Sequence, residues 1–287
     1  MLFLLGLLLP CVSVLGQERL QVQVSTGYQR EDLNWSIAGN SAGQNPNVYS
    51  ELKWQAVGGI SAGAALSWKV WRKLVVFVEG SRVFTLSGTV SDRDYSGDNR
   101  TSPVYGQSFD SHSGYAYTGF LGAGYRFWEG RRFELTPAVG YGFSGQRLSI
   151  EGAGGLLNSW YRTGWKGAVV RASGVLNIDK HWGILFGGAY HQVNYRADAD
   201  WNLIRTFSHP VSFRHWADGY ELDGELGVKY AAGRHVAVVL AGDYFNGRTG
   251  KGIDELYLAS GQTSQTQLNG VVLTGFGVRA GLRLGFD

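Results

Sequence analysis

Two closely spaced pairs of aspartates are the residues of this chain best suited to hydrolytic chemistry. Asp92 and Asp94 lie in "SDRD", and Asp198 and Asp200 lie in "RADADWN". Side chains two residues apart on a strand project to the same side, so each pair forms one carboxylate cluster. Opposed carboxylates can share a proton and activate water, as in aspartic proteases. The alternative for each pair is an ordinary solvated strand end, or a ligand set for divalent cations that bridge lipopolysaccharide.

Alternation of apolar and polar residues indicates the elements that carry these aspartates. In 220–230, the even positions form an apolar stripe with Tyr220 and Tyr230 at its ends, while the odd positions include three acids and a lysine. Segments 115–127 and 272–286 show a similar arrangement, and the second has Arg279 on its polar face. A soluble sandwich would show the same alternation without needing aromatics at both edges. The pattern is typical of an outer-membrane barrel with a polar lumen.

Ten segments show this strand pattern, and their connections alternate between tight turns and long polar loops. We therefore predict an all-β, transmembrane, antiparallel up-and-down β-barrel of about ten strands, with short periplasmic turns and long external loops. Strands three and seven are four apart in such a ring, so their tips are expected to be nearly opposite. The two aspartate pairs are then expected to face each other across the mouth. The predicted strands are 20–31, 49–67, 74–91, 114–128, 132–147, 166–178, 182–197, 219–231, 235–248 and 269–286.

Composition and the N-terminus narrow the class of protein further. The chain contains 43 Gly and 39 aromatic residues, and its 17% of charged residues is below the roughly 25% of soluble domains. A net charge of +3 without a basic run excludes nucleic acid as a partner. Residues 1–16 predict a signal peptide, followed by a barrel domain over 17–287. The single cysteine, Cys11, lies in that signal segment, so the mature chain is expected to contain no disulfide.

Motifs for cofactors are absent from the sequence. The glycine cluster at 152–155 is not followed by a helical pattern, which argues against a phosphate cradle. The histidines and acids show no H-E-x-x-H or similar spacing, so no metal site is predicted. The sequence therefore predicts no cofactor.

Several stretches resemble the omptins, the ten-stranded outer-membrane endopeptidases of Gram-negative bacteria. The resemblance covers nearly all of the mature chain, loosely, and is carried by "SELKW", "SDRDYSGD", "GYGFSGQRLSIEGAGG", "GRTGKG" and "RAGLRLGF". It implies a catalytic water held between Asp92 and Asp94 on one side of a groove and Asp200 on the other. It also implies a pocket for a basic side chain and a lipopolysaccharide site. The pocket residues would be Glu31 and Asp198, and the lipopolysaccharide-binding residues Tyr141 and Arg147.

The chain departs from the omptin pattern at the catalytic histidine. Omptins read D-x-D-x-H, whereas this chain reads Asp198-Ala199-Asp200-Trp201-Asn202; a register shifted by two places Asp200 at the histidine position. An asparagine amide cannot accept the proton of water, and loss of a general base costs about 10²–10⁴-fold in rate. His209 offers an imidazole if its loop folds back into the groove.

Two functions therefore remain open from the sequence. One is a surface endopeptidase that cleaves near basic residues by carboxylate-activated water, favouring acidic pH, with basic peptides or proteins as substrates. The other is a catalytically inactive barrel acting in adhesion, binding or outer-membrane integrity. A pore is less favoured, because a ring of about ten strands leaves a lumen largely filled by side chains. In either case the expected location is the bacterial outer membrane, with lipid and lipopolysaccharide as partners and the loops facing the cell exterior.

Overall fold

The computed structural model describes residues 19–152 and 154–287, and the predicted signal peptide lies outside them. No helix within these described ranges is long and apolar enough to cross a membrane. Thirteen strands form one antiparallel sheet, with a single 3-10 turn (Asp98–Arg100) between the third and the fourth. The strands are β1 (Leu20–Ile37), β2 (Ser50–Trp71), β3 (Leu74–Gly97), β4 (Thr101–Asp110), β5 (Gly114–Tyr125), β6 (Trp128–Glu129), β7 (Phe133–Glu151), β8 (Asn158–Asn177), β9 (Trp182–Asp200), β10 (Phe213–Ala231), β11 (Val236–Thr249), β12 (Gly252–Tyr257) and β13 (Thr263–Phe286).

The sheet closes on itself into a barrel. β1 pairs with β13 along its whole length, from Leu20 opposite Phe286 to Ile37 opposite Leu268. β4, β5 and β6 are successive segments of one wall strand, and β11 and β12 are segments of another, so the ring has ten positions. The prediction of an all-β antiparallel barrel of about ten strands is confirmed.

The half of the barrel with the short connections presents apolar side chains outward. We call this the turn end, and the opposite end, which carries the connections 38–49 and 201–212, the loop end. Outward aliphatic residues in this half are exposed, for example Val139 at 61% and Leu226 at 65%. Exposed aromatics border the band on both sides, as expected for a surface in contact with lipid. They include Trp71, Trp128 and Trp182 toward the turn end, and Tyr28, Tyr141 and Tyr244 toward the loop end.

The lumen of this half is polar. Arg279 pairs with Glu225 and, at 2.6 Å, with Asp243. Arg171 makes two hydrogen bonds to Glu79, of 2.7 and 2.6 Å. These neutralised charges line a cavity of about 410 Å³ in the lumen.

The strands continue beyond the membrane half, and there the apolar side chains point inward and the polar ones outward. Segments 148–165 and 198–218 were expected to be loops, but β7, β8, β9 and β10 extend into them. Their apolar side chains here point inward and form a buried cluster, because outside lipid only the interior shields them from water. We call this cluster the aromatic plug. It comprises Leu33, Trp35, Leu52, Trp54, Val57, Val90, Leu148, Ile150, Tyr161, Trp165, Val193, Tyr195, Ala197, Ala199, Phe213, Ala217, Leu268, Val271 and Leu273.

Rings from opposite walls meet inside the aromatic plug. Trp54 of β2 stacks on Tyr161 of β8 with ring centroids 5.3 Å apart, and Trp35 of β1 lies 5.7 Å from the same tyrosine. The Trp54 indole N–H also donates to the Ser149 carbonyl of β7 at 3.2 Å. The aromatic plug therefore separates the lumen cavity from the loop end.

An irregularity in the β2–β3 pair reverses the faces of both strands. The register shifts between Gln55 and Gly58, where Ala56 has a left-handed φ of 55° and its N–H donates to Asp32 at 2.6 Å. It shifts again between Gly58 and Gly59, where the extra residue is in β3. An extra residue in a strand moves the following side chains to the other face. In β2, even-numbered residues point outward on the turn-end side of the shift, as Ile60 does. On the loop-end side they point inward, as Trp54 does.

Candidate functional site

Asp92 and Asp94 point into the loop end of the barrel. Above the register shift, Val90 is buried in the aromatic plug, and Asp92 and Asp94 follow on the same face of β3. Burial and the neighbouring Asp94 raise the pKa of Asp92 to about 7. Burial also raises the pKa of Asp94, and a hydrogen bond with Ser50 opposes that rise. Within the described ranges, neither carboxylate has an ion-pair partner.

Asp198 lies on the outer surface instead. Its neighbours Ala197 and Ala199 are buried in the aromatic plug, so the alternation of β9 directs Asp198 outward. There it bridges Arg162 at 2.8 Å and Arg214 at 3.0 Å. The expectation that the two aspartate pairs face each other across the mouth is wrong, because β3 has a register shift and β9 has none. The pocket role of Asp198 has no geometric support.

Asp200 forms a pair with the loop histidine. The Nδ1 atom of His209 lies 2.6 Å from a carboxylate oxygen of Asp200, and the hydroxyl of Ser212 lies 3.5 Å from the same oxygen. An imidazole therefore stands beside Asp200. Because Asp200 shares the outward face of β9 with Asp198, this pair and the Asp92–Asp94 pair lie on opposite faces of the barrel wall.

Asn202 holds the neighbouring connection in place. Its side-chain oxygen accepts hydrogen bonds from the Asn158 N–H at 3.0 Å and the Ser159 hydroxyl at 2.9 Å. Its amide donates to the Leu156 carbonyl at 2.8 Å. An asparagine, with both a donor and an acceptor, fits these contacts better than an imidazole would.

Glu31 lies deeper in the barrel than the aspartates. It faces inward, is buried, and accepts a hydrogen bond from Gln29 at 3.1 Å. Trp35 is four residues further along β1 than Glu31. It is opposite Leu52 of β2, which is in turn opposite Asp92 of β3, so these three residues form one row across the sheet. At the rise of a strand, Glu31 is about 13 Å below that row. The aromatic plug therefore separates Glu31 from Asp92 and Asp94.

Tyr141 and Arg147 lie on the outer face of β7, as expected for contacts with lipid headgroups. Tyr141 is exposed in the loop-side aromatic border. Arg147 is directly opposite Arg162 of β8, and the guanidinium carbons of the two lie 5.8 and 5.3 Å from the centre of the Trp160 ring. Arg162 was not expected from the sequence, because it lies in a segment predicted to be a loop.

A buried hydrogen-bond network crosses the aromatic plug. The hydroxyls of Tyr195 and Tyr161 are 2.6 Å apart, and Tyr161 lies 2.8 Å from Nδ1 of His215. Nε2 of His215 lies 3.1 Å from Asp254, which also accepts from Thr266 at 2.9 Å. Burial raises the pKa of both tyrosines, so they stay neutral donors. The alternating Phe213, His215 and Ala217 were the available signal for this inward-facing strand.

The predicted residues thus fall into three separate places. Asp92 and Asp94 face the interior at the loop end, Glu31 faces the lumen below the aromatic plug, and the other predicted residues are on the outer surface. Within the described part of the chain, no group of three or more His, Cys, Asp or Glu side chains is placed to hold a metal ion.

Comparison with known proteins agrees with the barrel fold. A family model described as "Pom: Protochlamydia outer membrane protein" matches residues 23–286. No curated protein matches the sequence. The outer membrane protease OmpT from Escherichia coli has a similar structure, with a TM-score of 0.74 and 13% identity over 93% of this chain and 96% of that one. The translocator domain of the autotransporter NalP from Neisseria meningitidis has a TM-score of 0.39 and 12% identity over 94% and 89%. At 13% identity the likeness to OmpT is one of fold.

Proposed function

The chain belongs to the Protochlamydia outer membrane protein family, and from this premise we propose that it is a non-catalytic outer-membrane barrel that binds partners at its loop end. The observation that carries the proposal is the position of the two acidic pairs. Asp92 and Asp94 face the interior, whereas the Asp200–His209 pair is on the outer face of the wall. The loop end is taken to face the cell exterior.

Hydrolysis by the omptin arrangement requires these groups to converge on one water molecule. A general base must be within about 2.6–3.2 Å of the proton that it removes. Here the aromatic plug, with residues such as Ala197 and Ala199, lies inside the wall at the level of Asp198 and Asp200. This packing favours the inactive barrel over the endopeptidase, and the contact of Trp54 with Tyr161 across the lumen argues against an open pore.

A cleavage assay tests the inactive barrel directly. Refolded protein with lipopolysaccharide is expected to leave a quenched peptide library containing Arg and Lys uncut from pH 4.5 to 8, because the Asp200–His209 pair lies on the outer face of the wall and not opposite Asp92 and Asp94. Fluorescence release is the measurement, with the E. coli protease OmpT as the positive control. A heat-modifiable gel band establishes that the barrel is folded. Cleavage that Asp94→Asn or Asp200→Asn abolishes would show the chain to be an endopeptidase.

Lipid phosphate is the second partner that we propose, and Arg147 and Arg162 would bind it. Like charges directly opposite on neighbouring strands are destabilising unless an anion lies near them. Asp198 pairs with Arg162 at 2.8 Å but is shared with Arg214, so the three arginines leave net positive charge at this site. Both guanidiniums lie against Trp160, on the outer face beyond the aromatic border that contains Tyr141. The site therefore suits the phosphate groups of lipopolysaccharide.

The double variant Arg147→Ala/Arg162→Ala is expected to bind lipopolysaccharide about tenfold more weakly than the wild type, because two charge-assisted contacts are lost. Binding is measured as the rise in thermal stability on titration with lipopolysaccharide in phosphatidylcholine vesicles. Arg234→Ala, which removes an exposed arginine at the turn end, is the control and should not change the titration. Equal affinity of the double variant and the wild type would remove these arginines as the lipid site.

A further inference from the structure

The hairpin of β3 and β4 has an unpaired edge. β4 pairs with β3 from Thr101 to Asp110, but on its other side it pairs with β7 only where Asp110 is opposite Glu151. All but one of its residues are exposed, including Val104 at 64%. Pro103 limits the free edge to 104–109, and these residues include no further proline and no charged residue, which are the usual means of blocking strand addition. β4 therefore presents backbone donors and acceptors that no described part of the chain uses.

Contacts with the 38–49 connection fix the tip of this hairpin. The Asn47 N–H donates to the Asp98 carboxylate at 2.8 Å, and the Asn99 N–H donates to the Asn47 side chain at 2.7 Å. Arg100 pairs with the buried Glu51 at 2.6 Å. Burial opposes ionisation of Glu51, but the hydrogen bonds from Arg100 and Lys53 prevail and lower its pKa. A preorganised edge loses little conformational entropy when another strand binds to it.

One face of the hairpin is acidic. Asp92 is opposite Gln107 and Asp94 is opposite Tyr105, so these four side chains project to the same face. Burial and the two carboxylates raise the pKa of Tyr105. No arginine or lysine of the described ranges pairs with either aspartate. Above about pH 7 the face thus has negative charge available for a partner.

We infer that an extended segment of a partner protein adds to the free edge of β4 as a further strand, with lysine or arginine side chains over the face formed by Asp92, Asp94, Tyr105 and Gln107. An added strand would be about 4.8 Å from β4 and about 10 Å from β3. A lysine or arginine lying across Gln107 spans that distance to Asp92. Main-chain hydrogen bonds supply affinity in this mode of recognition, and alternate side chains supply specificity.

The inference rests on the proposed non-catalytic function, because the segment is held at the edge and remains intact. It names the site and the chemical class of the protein partner. The free edge of β4 continues beyond the pairing of Asp110 with Glu151, the last residue of β7, so strand addition there needs no displacement of the aromatic plug.

Binding is tested with a ten-residue peptide of alternating lysine and valine, added to the refolded full-length mature barrel. Hydrogen exchange read by mass spectrometry is expected to show slower exchange of the backbone amides within 101–110 when the peptide is bound. A peptide of the same sequence, N-methylated at the alternate residues whose N–H groups face β4, keeps the charge but loses its backbone donors to that strand, and it should not bind. A peptide of alternating glutamate and valine should also fail to bind.

Variants of the barrel separate charge at this face from net charge. Asp94→Asn is expected to weaken binding of the lysine–valine peptide about tenfold, whereas Asp287→Asn, the same change at the turn end, should not alter it. A heat-modifiable gel band establishes that each variant is folded. Equal binding of the N-methylated peptide, or slower exchange outside β4 only, would overturn strand addition and leave the inactive barrel standing. Cleavage of the bound peptide, detected in the same spectra, would instead overturn the non-catalytic function.

Discussion

Replacement of Trp54 by alanine is expected to lower the free energy of unfolding by about 3–5 kcal/mol, the cost of removing a large buried aromatic side chain. Trp54 is fully buried in the aromatic plug, stacks on Tyr161 and donates a hydrogen bond to Ser149. The cavity that the variant leaves cannot close readily, because the surrounding side chains belong to different walls of a closed barrel. The measurement is urea unfolding in lipid vesicles, followed by tryptophan fluorescence.

Two leucines provide a matched comparison for this effect. Leu52, 1% exposed beside Trp54 in the aromatic plug, should cost about 2–5 kcal/mol when replaced by alanine. Leu156, 78% exposed near the β7–β8 connection, should change stability by less than about 0.5 kcal/mol. If Leu52→Ala and Leu156→Ala unfold at the same urea concentration, the loop half of the barrel is not packed as described.

The membrane half could be predicted from the sequence because one physical rule governs it throughout. Lipid requires apolar side chains outward and aromatics at both borders. The residues of segment 220–230 therefore indicate by themselves which side chains face the lipid and which face the lumen. Polar side chains such as Glu225 are then necessarily inward, where Arg279 pairs with it. Number and direction of the strands follow from repetition of this pattern.

The loop half could not be predicted in the same way, because the rule reverses there. Above the membrane, "NSWYRTGW" places Tyr161 and Trp165 inward and Arg162 outward, which is the pattern of a water-soluble strand. Charged outward residues made this segment resemble a loop. The facing of the acids depended further on register shifts in the β2–β3 pair, which have no counterpart in β9 and which no local pattern at Asp198 or Asp200 indicates.

The histidine beside Asp200 shows a different limit of sequence reasoning. His209 is nine residues away from Asp200, across a connection with no repeating pattern, and its contact depends on the path of that connection. Its presence restores an acid–imidazole pair but not an omptin site, since the pair is on the other side of the wall from Asp92. Residue types alone therefore do not decide the function here. The function depends on which face of the strand carries those residues.

Asp92→Asn is expected to stabilise the barrel at pH 8 by roughly 1–3 kcal/mol. Burial and Asp94 raise the pKa of Asp92 to about 7, above the value of about 3.9 for an unfolded chain. Between these two pH values the folded state binds more protons than the unfolded state, so stability falls as pH rises from about 4 to about 7. The full difference between the folded and unfolded pKa of Asp92 corresponds to about 4 kcal/mol. Partial exposure of the face and burial of the new amide reduce the stabilisation expected from Asp92→Asn.

Unfolding in urea at pH 4 and at pH 8 isolates this contribution. The variant and the wild type should be equally stable at pH 4, where Asp92 is protonated in the folded state, and should diverge above pH 7. Asp179→Asn is the control of opposite sign, because hydrogen bonds from the Trp182 and His181 N–H groups lower the pKa of Asp179, and its loss should destabilise the barrel at pH 8. A destabilised Asp92→Asn at pH 8 would mean that the carboxylate already has a positive partner in the free protein. In that case the negative charge on this face would not be available to a bound strand.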